Sequence, residues 1–165
     1  MKRPGTLRRV LTAGLFVLVA CAETPDENGT VTVATGLDGG AYKTQVHPVF
    51  EKACGKSDCH GKLPRGLRIY GASALRLPGA TGPTTQEEIQ ATFESIEGLE
   101  PEKLNAFLGS QPRTKDAAYK LLLLGKPLQL ERHRGGISLR KGEPAEVCIT
   151  SWLLGSTDAA ACAVK

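Results

Sequence analysis

The chain has 165 residues, a formal net charge of +4, five cysteines and a single methionine. Its first twenty residues hold four of the 21 basic residues, Lys2, Arg3, Arg8 and Arg9, and no acidic one, which leaves 17 basic against 17 acidic residues in the rest. That neutral remainder gives no argument for a nucleic acid or an anionic membrane surface as partner, and its length suits one domain around one core.

The first element in chain order is an address. A basic start is followed by an apolar run over residues 10–20, shorter than the roughly 20 residues a membrane-spanning helix needs, and the small residues Leu18, Val19 and Ala20 precede Cys21. The pattern reads as a bacterial lipoprotein signal over residues 1–20, with Cys21 as the acylated first residue of the mature chain. An ordinary secretory signal cut nearby is the alternative, and both export the protein. Residues 21–40, with their Pro, Asp, Glu, Asn, Thr and Gly, read as a flexible tether, and residues 41–165 as a single domain.

The domain is expected to be mainly α. A helix is predicted from about Val46 to Ala53, with Pro48 tolerated in its first turn and Val49, Phe50 and Ala53 on one apolar face. The stretch from Gly61 to Pro83 is rich in Gly, Pro and Leu and reads as loop, with one short strand or turn at Leu67 to Tyr70. Thr85 followed by Gln86, Glu87 and Glu88 has the form of a capping box opening a helix to about Ile96. Pro101 starts another to about Leu108. Asp116 to Leu124 reads as one buried helix stopped by Gly125 and Pro127. A second long loop covers Gly125 to Gly142, and Glu143 and Pro144 open a last helix through Cys148 and Trp152 to Gly155.

The chemistry concentrates in Cys54 to His60, CGKSDCH, followed by Gly61. Two thiols can each add to a haem vinyl group, and the histidine beside the second is then held under the ring as proximal iron ligand. Four residues separate the cysteines, where two is the usual number. Cys148 and Cys162 are left as a pair expected to form a disulfide in an oxidising compartment, tying the final segment onto the preceding helix. The same accounting also allows a second disulfide, Cys54 to Cys59, and no haem. A zinc site on Cys54, Cys59, His60 and His133 has suitable donors, although adjacent ligands at 59 and 60 make a strained chelate.

With Met1 removed, no methionine remains to serve as sixth ligand. His133, in the Gly-rich stretch Arg132 to Gly136, is the better histidine for that role, and His47 the poorer one. Arg65, Arg68, Arg132 and Arg134 are candidates to pair with haem propionates. Phe50, Tyr119 and Trp152 are expected as apolar lining. No nucleophile elbow, phosphate loop or metalloprotease helix is present.

The strings VHPVFEKACGKSDCHG, AAYKLLLLGKPL, HRGG and SWLLG, in that order over about Val46 to Gly155, resemble the cytochrome c-like domains of planctomycete and myxobacterial exported proteins. The resemblance implies a class I-like cytochrome c fold, in which the first and last helices cross beside one covalently held haem c. It also implies an electron-transfer role with redox proteins as partners. The combined expectation is a lipid-anchored monohaem carrier, not an enzyme, with Cys54 and Cys59 as attachments and His60 and His133 on the iron. Five-coordinate iron would reopen peroxidase-like or gas-binding chemistry. The expected location is the cell envelope, on the periplasmic or cell-surface side, with Ala22 after Cys21 slightly favouring the outer membrane. The alternative from a different class is a haem-free structural lipoprotein stapled by Cys54–Cys59 and Cys148–Cys162 disulfides.

Overall fold

A computed structural model describes residues 36–163, all within one compact unit, Thr32–Lys165. The expected signal, the lipidated Cys21 and the tether as far as residue 35 lie outside the described residues. The described chain is mainly helical, as its sequence predicts, and contains no strand.

The helical run at the start is longer than expected. It opens with a single turn, α1 (Gly39–Ala41), capped by the Asp38 carboxylate accepting from the Ala41 N–H. A π-helical turn (Tyr42–Val46) follows, then α2 (His47–Cys54) with Pro48 in its first turn. Packing therefore begins ahead of residue 41, the expected domain start: the Asp38 carbonyl accepts from the indole N–H of Trp152 at 3.0 Å. The wide π turn puts Tyr42 and His47 on one side, and the Tyr42 hydroxyl lies 3.1 Å from His47 Nδ1.

The capping box is present as expected. Thr85 and Glu88 exchange hydrogen bonds at the start of α3 (Gln86–Glu97). α4 (Pro101–Gly109) buries Leu104, Phe107 and Leu108. The single helix expected over Asp116 to Leu124 is instead two short ones, α5 (Lys115–Ala118) and α6 (Leu122–Gly125), with Leu121 extended between them. Four consecutive leucines on one helix would point to every side of it. Breaking at Leu121 buries Leu121, Leu123 and Leu124, and the freed Leu122 N–H donates to the Glu100 carboxylate. α7 (Pro144–Leu153) matches the last predicted helix, and α8 (Ala159–Cys162) adds a turn the sequence pattern did not show. The Cys148–Cys162 disulfide joins them as expected.

The core centres on Tyr42, Phe50, Phe93 and Trp152, with the Tyr42 ring 4.9 Å from Phe93 and 5.3 Å from Trp152 between centroids. Phe50 meets Trp152 edge-on at 6.4 Å, so α2 packs on α7 through aromatic rings. The expected strand or turn at Leu67 to Tyr70 forms no strand and carries one isolated bridge, Tyr70 to Leu75. Its loop is held by carboxylates. Glu51 accepts from the Ser73 N–H at 2.7 Å, the Ser73 hydroxyl at 2.8 Å and the Thr84 hydroxyl at 2.9 Å. Fully buried Glu88 accepts from the Leu77 N–H and pairs with Arg76 at 2.9 Å.

Glu146 plays the same part at the other end. It accepts from the Gly142 N–H at 2.8 Å and from the Tyr119 and Thr150 hydroxyls at 2.8 and 2.7 Å. Burial alone would raise the Glu51 and Glu146 carboxyls. Their hydrogen bonds, with His47 beside Glu51 and Lys115 beside Glu146, outweigh it and hold both pKa values below the ordinary one. A lowered folded-state pKa contributes stability that is complete above the unfolded value, near 4.5, and lost as pH falls through the folded value. Glu51→Ala is expected to cost about 3 kcal/mol in urea unfolding at pH 7, and Glu51→Gln with Glu146→Gln to flatten the loss of stability below pH 4.5.

Candidate haem site

The loop after α2 is closed by backbone. The His60 N–H donates to the Cys54 carbonyl at 3.1 Å, and the Cys59 and Gly61 N–H groups donate to Lys56 at 2.9 and 3.0 Å. Gly61 is required there, since a Cβ would run into the Gly55 carbonyl oxygen. Arg65 reaches back to staple the outside, donating to the Cys59 carbonyl at 3.0 Å and the Asp58 carbonyl at 3.3 Å. The Ile69 N–H donates to the His60 carbonyl at 3.0 Å. The CGKSDCH segment is thus a compact turn fixed between α2 and the 61–69 strip.

A cavity of about 650 Å³ opens beside this turn, within the range of cofactor pockets. Cys54, Cys59 and His60 line it from one segment and His133 from another, 73 residues further along the chain. Phe50, Ala53, Leu67, Leu99, Leu122 and Leu123 supply apolar wall, while Arg65, Lys126, Arg132 and Arg134 supply positive charge against Asp58. All four expected haem-binding residues are therefore brought together. Of the four arginines, Arg68 is outside; its N–H donates to the Ser95 hydroxyl at 2.8 Å. Phe50 lines the cavity as expected. Tyr119 and Trp152 do not: the first is held by Glu146, and the second is fully buried in the core. His47 is also a core residue, 2% exposed, between Tyr42 and Glu51.

The His60 and His133 rings are nearly parallel, 7° apart, with centroids separated by 6.2 Å. Each ring is oriented by its own segment. His60 Nδ1 lies 3.0 Å from the Leu67 carbonyl, and His133 Nδ1 lies 2.8 Å from the Gly136 carbonyl. A carbonyl oxygen only accepts, so the proton of each neutral ring is assigned to Nδ1 and the lone pair to Nε2. Burial, with the charges of His133, Arg65 and Lys126, lowers the His60 pKa against the Leu67 hydrogen bond and favours that neutral form. An imidazole nitrogen bonds a first-row metal at about 2 Å and lies ~1 Å from its own ring centre, so two rings on either side of one ion have centroids about 6 Å apart. The observed centroid spacing matches that separation.

Both loop thiols are free. Burial, then the neighbouring Cys59, pushes the Cys54 thiol up to about 12. Cys59 is half-buried and raised as well, by burial and by Asp58, against Lys56 and Arg65. No group of three or more His, Cys, Asp or Glu side chains is arranged to hold a metal ion among the described residues, so the four donors of the zinc reading line one cavity without forming such a group. The residues do fit a haem: two oriented imidazoles, two thiols, an apolar wall and a basic rim. Sequence reasoning missed the Leu67 and Gly136 carbonyls, which no side-chain pattern announces, and Lys126, whose position after the Leu-rich run was a signal only in retrospect.

Comparison with protein-family models, with curated proteins and with solved structures finds no match to this chain. The class of site rests on the geometry alone. In the reduced, haem-free chain, a maleimide is expected to label Cys59 ahead of Cys54, and Cys54 only on unfolding. Gly61→Ala is expected to expose Cys54 to labelling at a rate near that in urea, read by peptide mass spectrometry; unchanged protection would show that the turn tolerates a side chain there.

Proposed function

We propose that the protein is a monohaem c-type cytochrome, an electron carrier and not an enzyme, anchored at the cell envelope through lipid on Cys21, with the outer membrane slightly favoured. The observation that carries this reading is the pair of parallel imidazoles 6.2 Å apart, each with Nδ1 tied to a carbonyl, in a cavity that also holds two free thiols. In it, Cys54 and Cys59 form the thioether attachments, and His60 and His133 present Nε2 to the iron. Bound haem supplies a one-electron couple.

The chain's own residues do the rest. The Leu67 and Gly136 carbonyls fix ring orientation and raise ligand basicity, the usual role of such outer partners. Phe50, Leu122 and Leu123 keep water from the cavity and lower its dielectric. Arg65, Arg132 and Arg134 stand on its rim, where guanidinium groups suit the propionate carboxylates. A class I-like cytochrome c arrangement is supported by α2 packing on α7 through Phe50 and Trp152, with the cavity on the Phe50 side. The competing Cys54–Cys59 disulfide finds no support in thiols that stay separate while Cys148 and Cys162 pair.

The test is the chain produced in a periplasm with haem-attachment machinery. The intact mass should equal the processed chain plus one haem, with no free thiol at Cys54 or Cys59, and the spectrum should be low-spin in both redox states. His133→Ala should abolish the low-spin bands while leaving haem attached. A chain without a Soret band, two hydrogen atoms lighter at Cys54 and Cys59, would sink the cytochrome reading in favour of the stapled lipoprotein.

A further inference from the structure

The two histidines that face each other are held very differently. His60 sits in a turn with buried neighbours on both sides, Cys54 before it and Gly61, Leu67 and Ile69 after it. Its own N–H and carbonyl are both bonded, to Cys54 and Ile69, and Arg65 staples the turn from outside. His133 has no such support. No residue between Leu128 and Ser138 is buried, and Leu130 and Ile137 are 51% and 59% exposed.

The hydrogen bonds around His133 are local. Its Nδ1 bonds the Gly136 carbonyl, its carbonyl accepts from the Gly136 N–H at 3.2 Å, and the Gln129 side-chain amide donates to the same carbonyl at 3.4 Å. The loop is clamped only at its base. There the Leu130 and Glu131 N–H groups donate to the Gly125 carbonyl, and the Ser138 and Leu139 N–H groups donate to Pro127. The residues at the bends, Gln129 with φ of 58° and Gly136 with φ of 76°, lie in the left-handed region. Segments with few buried apolar groups and exposed backbone open at low free energy. The 132–137 apex can therefore swing from its clamp without giving up a core contact, whereas His60 cannot move without unfolding the turn.

From this asymmetry we infer that His133 is a displaceable ligand and that the cavity is a binding site for a small neutral diatomic gas such as carbon monoxide or nitric oxide. The inference rests on the haem reading above. In the step, the bond from His133 Nε2 breaks and its electron pair returns to the imidazole, which turns out with the loop. The carbon lone pair of carbon monoxide then makes the new bond on that side. No electron changes owner, and His60 stays in place. The apolar wall of Phe50, Leu122 and Leu123 suits a ligand without charge.

The experiment uses the matured full-length protein, reduced with dithionite and mixed with carbon monoxide. The observed rate should rise with gas concentration and then level off at the rate of His133 release. His133→Ala should bind in proportion to concentration with no plateau. With the open loop populated at about 1–10%, apparent affinity in the unaltered protein should be roughly 10–100-fold weaker than in His133→Ala. Gly136→Ala, which strains the bend whose carbonyl orients the His133 ring, should raise the plateau. As a readout independent of haem absorption, trypsin should cleave after Arg132 and Arg134 faster in the gas-bound protein than in the gas-free one. Failure of the unaltered protein to bind carbon monoxide while His133→Ala does, or cleavage unaffected by the gas, would overturn the proposal and leave the cytochrome reading standing. Absence of a Soret band would overturn both.

Discussion

Buried carboxylates accepting from loop N–H and hydroxyl groups are the interaction on which this fold depends. Two long stretches carry little regular structure, so their backbone groups need partners that helices would otherwise supply. Glu51 and Glu88 gather the 71–85 segment onto α2 and α3; Glu146 draws in the approach to α7; Glu100 receives the start of α6. Each sits on or beside a helix and reaches outward to loop. A carboxylate with several donors is costly to bury and costly to lose, and the loops it holds are the ones that place the 61–69 strip and the α6 wall of the cavity.

The elements with local signals were legible in the sequence. The Thr85 capping box, Pro101 and Pro144 at helix starts, and the Cys148–Cys162 pairing are read from chemistry within a turn or from counting, and the structure bears them out. The helix over the leucine run was not, because apolar periodicity cannot tell a continuous buried helix from two turns broken to keep leucines on one side. Glu100, 22 residues from Leu122, decides that break. The π-helical turn was likewise invisible, since it goes with a bond between side chains five residues apart, Tyr42 and His47, within a cluster of rings.

The cavity residues were legible as types and partly as neighbours. His60 and His133 share a wall because the 54–60 turn and the loop beyond α6 are each anchored elsewhere, through Ile69 and through Gly125 and Pro127. Their orientation depends on carbonyls, which every residue carries, so no composition or spacing could have indicated it. Tyr119 and Trp152 illustrate the reverse error: aromatic character suggested lining, while their polar atoms were already committed to Glu146 and the Asp38 carbonyl.

That last bond also sets a distance. Among the described residues, the Asp38 carbonyl, held by the Trp152 indole, ties the start of the chain to its far end. With lipid on Cys21 as proposed, 16 residues lie between the anchor and this grip, and even fully extended the stretch spans no more than about 60 Å. An anchor at Cys21 would confine the domain to a shell of that depth. Under the proposed reading a redox partner would have to reach into the same shell, and the length of chain ahead of Asp38 would then select partners by height as well as by surface.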